Sequence, residues 1–513
     1  MKHPSPKSGW LSLLLHHLLH HQQLMWTSDS SILPTKAPST TDSWRSRSHN
    51  LLTKRYARVL IAGIVSVSIL FFLFRGERPE NSASYFPLPL PFESDLPPLY
   101  EQYHEYERRL PQHDASLPPP EGKHAKYLFF GNHAHASGWG NIMQELLLNA
   151  LLTYSTKRAF VFDNYTWSRE PSDYADFNGN IIPSRIPLSA IISGPIIGAP
   201  FGPESDVPRA VSLEFFREQC PEPLVLTTNA VKDRLGNAEA SEILQTWIKE
   251  INAIPDRCVE FERDTQHVFD VWLFSDTLLL SIFPYIKDTP IITDFGWSPL
   301  ILSAYDTNRE FFEDKASRTL LGFTIPSFLS PMPPATEQTP PYPPLPGLIA
   351  LHIRRGDFKE HCTNLAGWNT RYNGLNSFPE LPDKFVPPYD APDEQKVSVY
   401  LERCFPSIEQ IVEKVKHEQQ GRHLNRVYIM SNGERGWLKE LKAALRQIGE
   451  WDSITTSRDM TYTREQKYVA QSLDMYIGQR AEVFVGNGFS SLTSNVVTLR
   501  MANNVDPQNT RFW

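Results

Sequence analysis

Two adjacent arginines, Arg354 and Arg355, close an apolar run that begins at Leu348. Guanidinium groups at the carboxyl end of a buried strand are poor core residues, but they can hold a diphosphate through paired hydrogen bonds. Gly356 permits a sharp turn after them, and Asp357 could orient an arginine or accept a ligand hydroxyl. The alternative is a structural arginine–aspartate pair. The motif indicates an anion site that suits a diphosphate.

A second anion-binding pattern occupies residues 484–495, where an apolar run meets a glycine-rich turn and hydroxyl groups then open a predicted helix. Backbone N–H groups at a helix start can cradle phosphate without a metal when Ser and Thr hydroxyls assist them. The alternative is a serine that only caps the helix. The candidate binding residues here are Gly488, Ser490, Ser491 and Thr493.

A third candidate is the turn Gly138-Trp139-Gly140-Asn141, between a predicted strand and a predicted helix. Small residues there would let the backbone approach a ligand, and the helix start would present free N–H groups. The alternative is a tight turn in which Asn141 caps the helix. Glu145 lies four residues later on the same helical face, so it could point into a cleft or simply favour the helix dipole.

Asp474 is a fourth candidate, on a helix-like segment that leads into a strand-like run. A carboxylate there could accept from a guanine edge or brace an arginine, and the alternative is an acid on the helix surface. We find no Asp-x-Asp pair of the kind that holds a metal–diphosphate complex. The usual metal–diphosphate motif is therefore missing from the sequence.

The elements around these motifs alternate between strand and helix. The predicted strands include Lys126–Phe130 and Arg158–Asp163, with a helix at Ile142–Thr156 between them. In the second half, LIALHI, RVYIMS and EVFVG read as strands, and WLKELKAALRQI and KYVAQSLDMYIGQR as helices. Alternation of this kind predicts a parallel sheet in each half, with ligand held in a cleft at the carboxyl ends of strands.

Composition bounds the class of protein. The 513 residues carry a formal charge of −8, which excludes a generally basic nucleic-acid surface, and 41% are hydrophobic, enough for a large core. The four cysteines contain no Cys-x-x-Cys pair, so zinc-ribbon and thioredoxin sites are excluded. In an oxidising compartment we favour the local disulfides Cys220–Cys258 and Cys362–Cys404 over buried thiols.

The chain begins with features of a membrane-anchored secretory protein. Residues 59–74 are uncharged and apolar, more basic residues precede than follow them, and Pro-rich sequence comes next. This pattern predicts a type II single-pass protein of the Golgi or endoplasmic reticulum with a lumenal body. Asn164-Tyr165-Thr166 is a glycosylation sequon that weakly favours the lumen. The predicted segments are a cytosolic disordered tail 1–55, an anchor 56–75, a stem 76–122, an N-terminal domain 123–324, a Pro-rich linker 325–347 and a C-terminal domain 348–513.

Together the four motifs resemble the GDP-fucose protein O-fucosyltransferase family. Gly138–Asn141 with Gln144 is similar to that family's amino-terminal glycine turn, with its aromatic residue displaced to Trp139 and its Gln further along. His352–Phe358 resembles its H-x-R-x-G/T-D motif. Residues 469–500 resemble its closing motif most specifically. The Pro-rich linker and residues 359–392 match nothing in this pattern.

The resemblance implies a GT-B fold, with two Rossmann-like domains facing a cleft and GDP-fucose held mainly by the C-terminal one. His352 and Arg354 would contact the nucleotide, Arg354 on the β-phosphate, and Asp357 would support that loop. Asp474 would lie near guanine and Ser490 and Ser491 on the diphosphate, while Asn141 would face fucose and acceptor. The family reaction inverts the anomeric centre without metal, so Arg354 would stabilise the departing GDP.

Several alternatives stay open. Glu145 is the candidate base, against a water relay or a dissociative transition state that needs little base. The acceptor could be protein Ser or Thr, an N-glycan core or a polysaccharide. The chain could also be an inactive membrane-anchored sugar- or nucleotide-binding relative, or a GT-B transferase that uses another nucleotide sugar.

Overall fold

A computed structural model describes residues 96–177, 179–202, 205–313, 319–320, 323–324 and 342–513, the two short pairs by backbone alone. These residues belong to one compact unit. The predicted tail 1–55, the anchor 56–75, residues 76–95 of the stem and residues 325–341 of the linker lie outside the described residues. Among the helices between residues 96 and 513 that the structure describes, none has the length and apolar character needed to cross a membrane.

The strands form two five-stranded sheets and several two-stranded pairs. In chain order they are β1 Tyr127–Phe130, β2 Ala159–Phe162, β3 Tyr165–Thr166, β4 Tyr174–Phe177, β5 Asn180–Pro183, β6 Arg185–Ile186, β7 Ile192–Ser193, β8 Val211–Ser212, β9 Leu224–Leu226, β10 Cys258–Phe261, β11 Gly296–Trp297, β12 Thr319–Leu320, β13 Phe323–Thr324, β14 Leu345–Ile353, β15 Arg426–Ser431, β16 Ser453–Thr456, β17 Ala481–Gly486 and β18 Thr510–Phe512.

The helices cover the faces of the sheets. In chain order they are α1 Glu101–Arg108, α2 Trp139–Ser155, α3 Leu213–Gln219, α4 Asn229–Leu235, α5 Ala240–Asn252, α6 Val271–Phe274, α7 Phe283–Ile286, α8 Pro290–Thr293, α9 Pro299–Asn308, α10 Phe358–Gly367, α11 Asp393–Cys404, α12 Ile408–Gln419, α13 Arg435–Leu445, α14 Ala470–Arg480 and α15 Ser491–Ala502.

Both large sheets are wholly parallel. The first has the order β8-β2-β1-β10-β9 and the second the order β16-β15-β14-β17-β18. The central strand β1 is buried throughout and the central strand β14 is buried from Gly347 to Ile353, as expected of parallel strands covered on both faces. The α/β class with parallel sheets, predicted from the strand–helix alternation, is confirmed.

One hydrophobic cluster runs through both halves, and a smaller one covers the far face of each sheet. Polar contacts reinforce the junction between the halves. Asn308 donates to the Thr461 carbonyl at 2.8 Å and accepts from the Thr461 N–H at 2.7 Å. Trp297 Nε1 donates to Gln479 Oε1 at 2.9 Å. The two sheets are therefore held to each other by a shared core.

Residues 96–122 correct the predicted spacer. They contain α1, and Tyr100 is fully buried with its hydroxyl donating to the Glu465 carbonyl at 2.7 Å. Glu107 accepts from the Ser189 N–H at 2.8 Å, and its burial raises the pKa of its carboxyl to about 7. Leu110 is also buried. These buried contacts show that residues 96–122 belong to the folded body. The Pro-rich composition gave no indication of them.

The predicted linker also ends too late, because β14 already begins at Leu345. Leu345 pairs with Ala481 ahead of a shift in register, and Gly347 has a φ of +75°, which a glycine tolerates. A bulge therefore lets a strand contain Pro346 and Gly347.

The disulfides join the pairs favoured from the sequence. Cys220 bonds to Cys258 and Cys362 to Cys404. The first pair links the end of α3 to β10, and the second links α10 to the end of α11. The second pair therefore ties together the segment 359–392, which the sequence left without a role.

Candidate functional site

The candidate site begins where β14 and β17 end. These strands are parallel neighbours, so the residues after them meet at one edge of the sheet. His352 Nδ1 lies 2.8 Å from Thr493 Oγ1, which also accepts from the Asn487 N–H at 3.2 Å. Thr493 is fully buried. It was predicted to bind substrate, but in the structure it joins the two strand-end motifs.

Arg354 follows β14 and is 8% exposed. Its guanidinium carbon lies 4.7 Å from the centre of the Phe358 ring. Burial lowers the pKa of Arg354 and the nearby Asp357 carboxylate opposes that shift. Burial and the Arg354 charge together lower the pKa of His352 to about 3, so that imidazole is neutral. The site thus presents one fixed cation, preorganised for an anion.

Arg355 corrects the paired-arginine interpretation. Its guanidinium lies between the rings of Phe405 and Trp437, at 4.3 and 4.0 Å from their centres. It also donates to the carbonyls of Arg354 and Pro406. Burial lowers the pKa of Arg355 to about 10. Because both terminal nitrogens donate to carbonyls and the guanidinium lies against two rings, these contacts assign Arg355 to holding the loop.

Asn432 holds the turn after Arg354. Its Oδ1 accepts from the Arg355 N–H at 2.7 Å, and its Nδ2 donates to the Arg355 carbonyl at 2.9 Å. Gly356 has a φ of +66°, and Asp357 follows at the start of α10. Asn432 is not among the functional residues predicted from the sequence. Its position directly after β15 was the available signal, because ligand-facing loops follow parallel strands.

The serine turn after β17, residues 487–491, packs against residues 372–376 of the preceding segment. A Cβ on Gly488 would lie 2.3 Å from the Tyr372 ring, so this glycine serves close packing. Asn376 Nδ2 donates to the carbonyls of Gly488 and Ser490 at 2.8 and 3.3 Å. The Ser491 hydroxyl is buried without a hydrogen-bond partner among the described residues. The Ser491 hydroxyl is therefore available to a ligand, and the neighbouring Ser490 hydroxyl makes no cap bond to α15.

The glycine turn of the first half meets this serine turn directly. A Cβ on Gly140 would lie 2.7 Å from the Leu492 nitrogen and 2.8 Å from Ser491 Oγ. Asn495 Nδ2 also donates to the Gly140 carbonyl at 2.7 Å. The sequence predicts that Gly140 lets the backbone approach a ligand. In the structure the start of α15 occupies the space beside Gly140. The N-termini of α2 and α15 are thus brought together.

Helix α2 begins three residues earlier than predicted, with Gly138 as its cap. Asn141 is therefore inside the first turn, and its Nδ2 donates to Ser137 Oγ at 2.9 Å. Trp139 is fully buried edge-on against Tyr165, at 5.5 Å between ring centres. Trp139 fixes the turn, and Asn141 stays at the junction between the two helices.

Glu145 is corrected as a candidate base. It is buried, its Oε2 accepts from the Ala134 N–H at 2.6 Å, and its Oε1 lies 3.1 Å from His267 Nδ1. Burial alone would raise the pKa of Glu145, but the neighbouring His267 holds it below its usual range. A carboxylate with both oxygens engaged and a lowered pKa is a weak proton acceptor.

Asp474 lies on α14 beneath the second sheet. It accepts from the Tyr428 hydroxyl at 2.5 Å and from Ser457 Oγ at 3.2 Å. Burial raises the pKa of Asp474 to about 7, against the effect of these two donors. Both partners stand on or directly after neighbouring strands of the sheet, β15 and β16. The carboxyl is thus braced by hydroxyls and not by an arginine.

The glycosylation sequon does not lie on an exposed loop. Tyr165 and Thr166 are buried in β3, and Asn164 is half-buried beside Asp163. Asn164 also borders a small recess above the first sheet that Phe130, His133 and Asn149 help to line. The sequon therefore has its Asn at a half-buried position next to a buried strand, and glycosylation of Asn164 stays a prediction.

The family-model match concerns the second sheet, whereas the matches to solved structures cover most of the chain. Residues 343–503 match the family model described as GDP-fucose protein O-fucosyltransferase. The sequence matches no curated protein. Two crystal structures illustrate the solved proteins to which the chain is similar. POFUT1 in complex with GDP-fucose is 14% identical over 75% of this chain and 97% of its own, with a TM-score of 0.45. NodZ alpha-1,6-fucosyltransferase soaked with GDP-fucose is 11% identical over 73% and 92%, with a TM-score of 0.35.

The matched region runs from the residues before β14 into the end of α15, so it contains both strand-end motifs and Asp474. Arg354, the buried Ser491 hydroxyl and the Asn432 turn all stand inside it. Residues 343–503, which form this part of the site, are thus similar to the GDP-fucose protein O-fucosyltransferase family.

Proposed function

We propose that this protein transfers fucose from GDP-fucose to a hydroxyl acceptor, protein Ser or Thr or a glycan, with inversion and without metal. The observation that carries the proposal is that a buried arginine, Arg354, and a buried hydroxyl, Ser491, both follow the ends of adjacent parallel strands. A cation and a hydroxyl donor at that place suit a diphosphate.

The two halves then take the roles of a GT-B enzyme, the proposed finer form of this α/β fold. The second sheet holds the nucleotide, and the first sheet, with the turn at Gly138–Asn141, faces fucose and acceptor. Helix α14 presents Asp474, which we assign to the guanine end of the site. The chain is proposed to work in the secretory pathway, anchored by residues 56–75.

In this mechanism the activation barrier is lowered mainly by stabilisation of the charge on the leaving group. As the bond from C1 of fucose to the β-phosphate oxygen breaks, negative charge grows on departing GDP. Arg354 is already in place to meet that charge, held against Phe358 and beside Asp357. A fixed donor in a buried site costs no reorganisation during the reaction.

A donor screen tests this proposal. The full chain would be titrated by calorimetry with GDP, GDP-fucose, GDP-mannose and UDP-sugars, with EDTA present. We expect binding of GDP and GDP-fucose and release of GDP from GDP-fucose on incubation. Binding of a UDP-sugar in preference would favour the transferase with another donor. Tight GDP-fucose binding without GDP release would favour the inactive relative.

A further inference from the structure

A cluster of histidines and carboxylates stands at the carboxyl edge of the first sheet. β2, β1 and β10 are adjacent parallel strands. Asp163 follows β2, His133 follows β1 and His267 follows β10, while Glu145 reaches the cluster from α2. The mechanism above uses none of these groups.

His267 and Glu145 form a polarised pair. Glu145 Oε1 lies 3.1 Å from His267 Nδ1, and its Oε2 is fixed by the Ala134 N–H at 2.6 Å. The Glu145 side chain is 5% exposed, whereas that of His267 is 37% exposed. A carboxylate at Nδ1 keeps the proton on that nitrogen, so the lone pair stands on Nε2. A partly exposed imidazole with a buried carboxylate behind it is the arrangement of a general base.

The neighbouring histidines are less suited to that task. His133 Nδ1 lies 3.0 Å from the Ala134 carbonyl and its Nε2 lies 3.2 Å from Asp163 Oδ2. Both nitrogens of His133 are thus engaged with protein oxygens and not with an open position. Burial, together with Arg169, lowers the pKa of His135 to about 4, which makes it a weak base. His267 is the histidine of the cluster that can accept a proton.

Two elements connect His267 to the serine turn after β17, residues 487–491. Glu145 lies on α2, whose N-terminus contacts Ser491 through Gly140. On the other side, α6 begins four residues after His267 and packs against the turn Gly374–Asn376, the turn that holds Gly488 and Ser490. The segment that carries Glu145 and the segment that carries His267 thus both contact the serine turn or the residues that hold it.

We propose that His267 is the general base of the reaction and that Glu145 is its positioning residue. This proposal rests on the proposed function. His267 Nε2 takes the proton of the acceptor hydroxyl, and the freed oxygen lone pair forms the bond to C1 of fucose. The bond from C1 to the β-phosphate oxygen breaks, and its electron pair leaves with GDP beside Arg354. The proton stays on the imidazole until solvent removes it.

The charges around His267 set its pH dependence. Glu145, Asp270, Lys232 and His135 face it. Burial alone would lower the pKa of His267, but Glu145 outweighs burial and raises it above 6.5. Because the base must be neutral, the rate should rise with pH through that raised pKa. Glu145→Gln removes the charge that raises the pKa, so the rise should move to lower pH.

Hydrolysis of GDP-fucose by the full chain tests the proposal, since water can take the place of the acceptor hydroxyl. GDP release would be followed from pH 5 to 9 for wild type, His267→Asn, Glu145→Gln and the exposed control His423→Asn, and GDP affinity would be measured by calorimetry. We expect His267→Asn to slow hydrolysis by about 10²–10⁴-fold with GDP affinity unchanged. The control should match wild type.

Each other outcome is decisive. A wild-type rate and pH profile in His267→Asn would overturn the base assignment and leave the proposed function standing. Joint loss of GDP affinity and rate in His267→Asn would make His267 structural and also overturn it. An unmoved midpoint in Glu145→Gln would overturn the positioning role of Glu145. A wild type that binds no GDP-fucose would overturn the proposed function, and the base with it.

Discussion

At the scale of single residues, the two neighbouring arginines have opposite tasks. Arg354 faces the strand-end site, whereas Arg355 is enclosed by Phe405 and Trp437 and bonded to two carbonyls. The sequence could place both at the end of a strand. It could not separate them, because the rings that enclose Arg355 come from residues fifty and eighty-two positions later in the chain.

Arg355→Ala should lower the stability of the fold. The substitution removes two cation–ring contacts, each worth about 0.5–2 kcal/mol, and leaves two carbonyls without their donor. We expect a clear fall in the melting temperature, measured by calorimetry. An unchanged melting temperature, with loss of GDP binding alone, would contradict the assignment and restore Arg355 as a ligand contact.

Asp474 should make stability depend on pH. Its pKa is raised from 3.8 to about 7, so the folded state holds the proton more tightly than the unfolded state does. That contribution is complete below 3.8 and is lost as pH rises through about 7. Asp474→Asn removes the titration, so the melting temperature of the variant should rise relative to wild type between pH 5 and pH 8.

Other titrating groups cancel from this comparison because both proteins contain them. A difference between Asp474→Asn and wild type that stays constant over this range would show that the Asp474 pKa is not raised.

At the scale of elements, the sequence predicted much of the framework. RVYIMS is β15 residue for residue, and the predicted helix 142–156 overlaps α2 over nearly all its length. The errors have local causes. The glycines predict a turn over Gly138–Asn141, whereas α2 begins at Trp139. The start of α15 packs against Gly140 and supports this earlier start of the helix. A contact between residues 350 positions apart leaves no trace in local periodicity.

Gly140→Ala tests that junction. The added methyl group would lie 2.7 Å from the Leu492 nitrogen and must push α2 and α15 apart. We expect a loss of about 1–3 kcal/mol of stability and weaker GDP binding, because Ser491 stands at the same contact. Urea unfolding and calorimetric titration measure the two effects.

Gly436→Ala is the matched control, because an added Cβ at that position in α13 meets no atom within 4 Å. It should hold or gain stability, up to about 1 kcal/mol, with GDP binding unchanged. Equal behaviour of the two variants would mean that the α2–α15 contact has no part in the site.

At the scale of the whole molecule, the shared core and the disulfides decide how the site is held. Cys404 is part of that support, because its carbonyl accepts from Asn487 Nδ2 at 2.8 Å directly after β17. Cys362 lies on α10, the helix that Asp357 begins. The Cys362–Cys404 bond therefore connects the helix that follows Arg354 to the serine turn after β17. Cys220–Cys258 braces the first sheet alone.

Removing each disulfide should separate stability from binding. The loops closed are similar, with sequence separations of 42 and 38 residues, so each double Cys→Ala variant should lose a similar amount, about 2–5 kcal/mol. Only Cys362→Ala with Cys404→Ala should also weaken GDP binding. Equal loss of GDP affinity in both variants would contradict a specific role for the second disulfide.

The overall organisation could be predicted only in part. Alternation of strands and helices sufficed for two parallel sheets. The fold of residues 96–122 could not be foreseen, because Tyr100 and Glu107 are anchored by Glu465 and Ser189, far away in the chain. The assignment of the motif residues to a binding site stays a prediction. The contacts of Arg355, Gly140, Thr493 and Glu145 are with residues distant in the sequence or with the surrounding loops, which local patterns do not reveal.

The central claim is that Arg354 holds the diphosphate of a GDP-sugar, and one titration tests it most directly. Wild type, Arg354→Ala and Arg354→Lys would be titrated with GDP and GDP-fucose by calorimetry in EDTA, and release of GDP from GDP-fucose would be followed in the same samples. The account predicts binding by wild type, a loss of turnover of about 10²–10³-fold in Arg354→Ala, and partial recovery in Arg354→Lys. Binding and turnover by folded Arg354→Ala equal to those of wild type would contradict it.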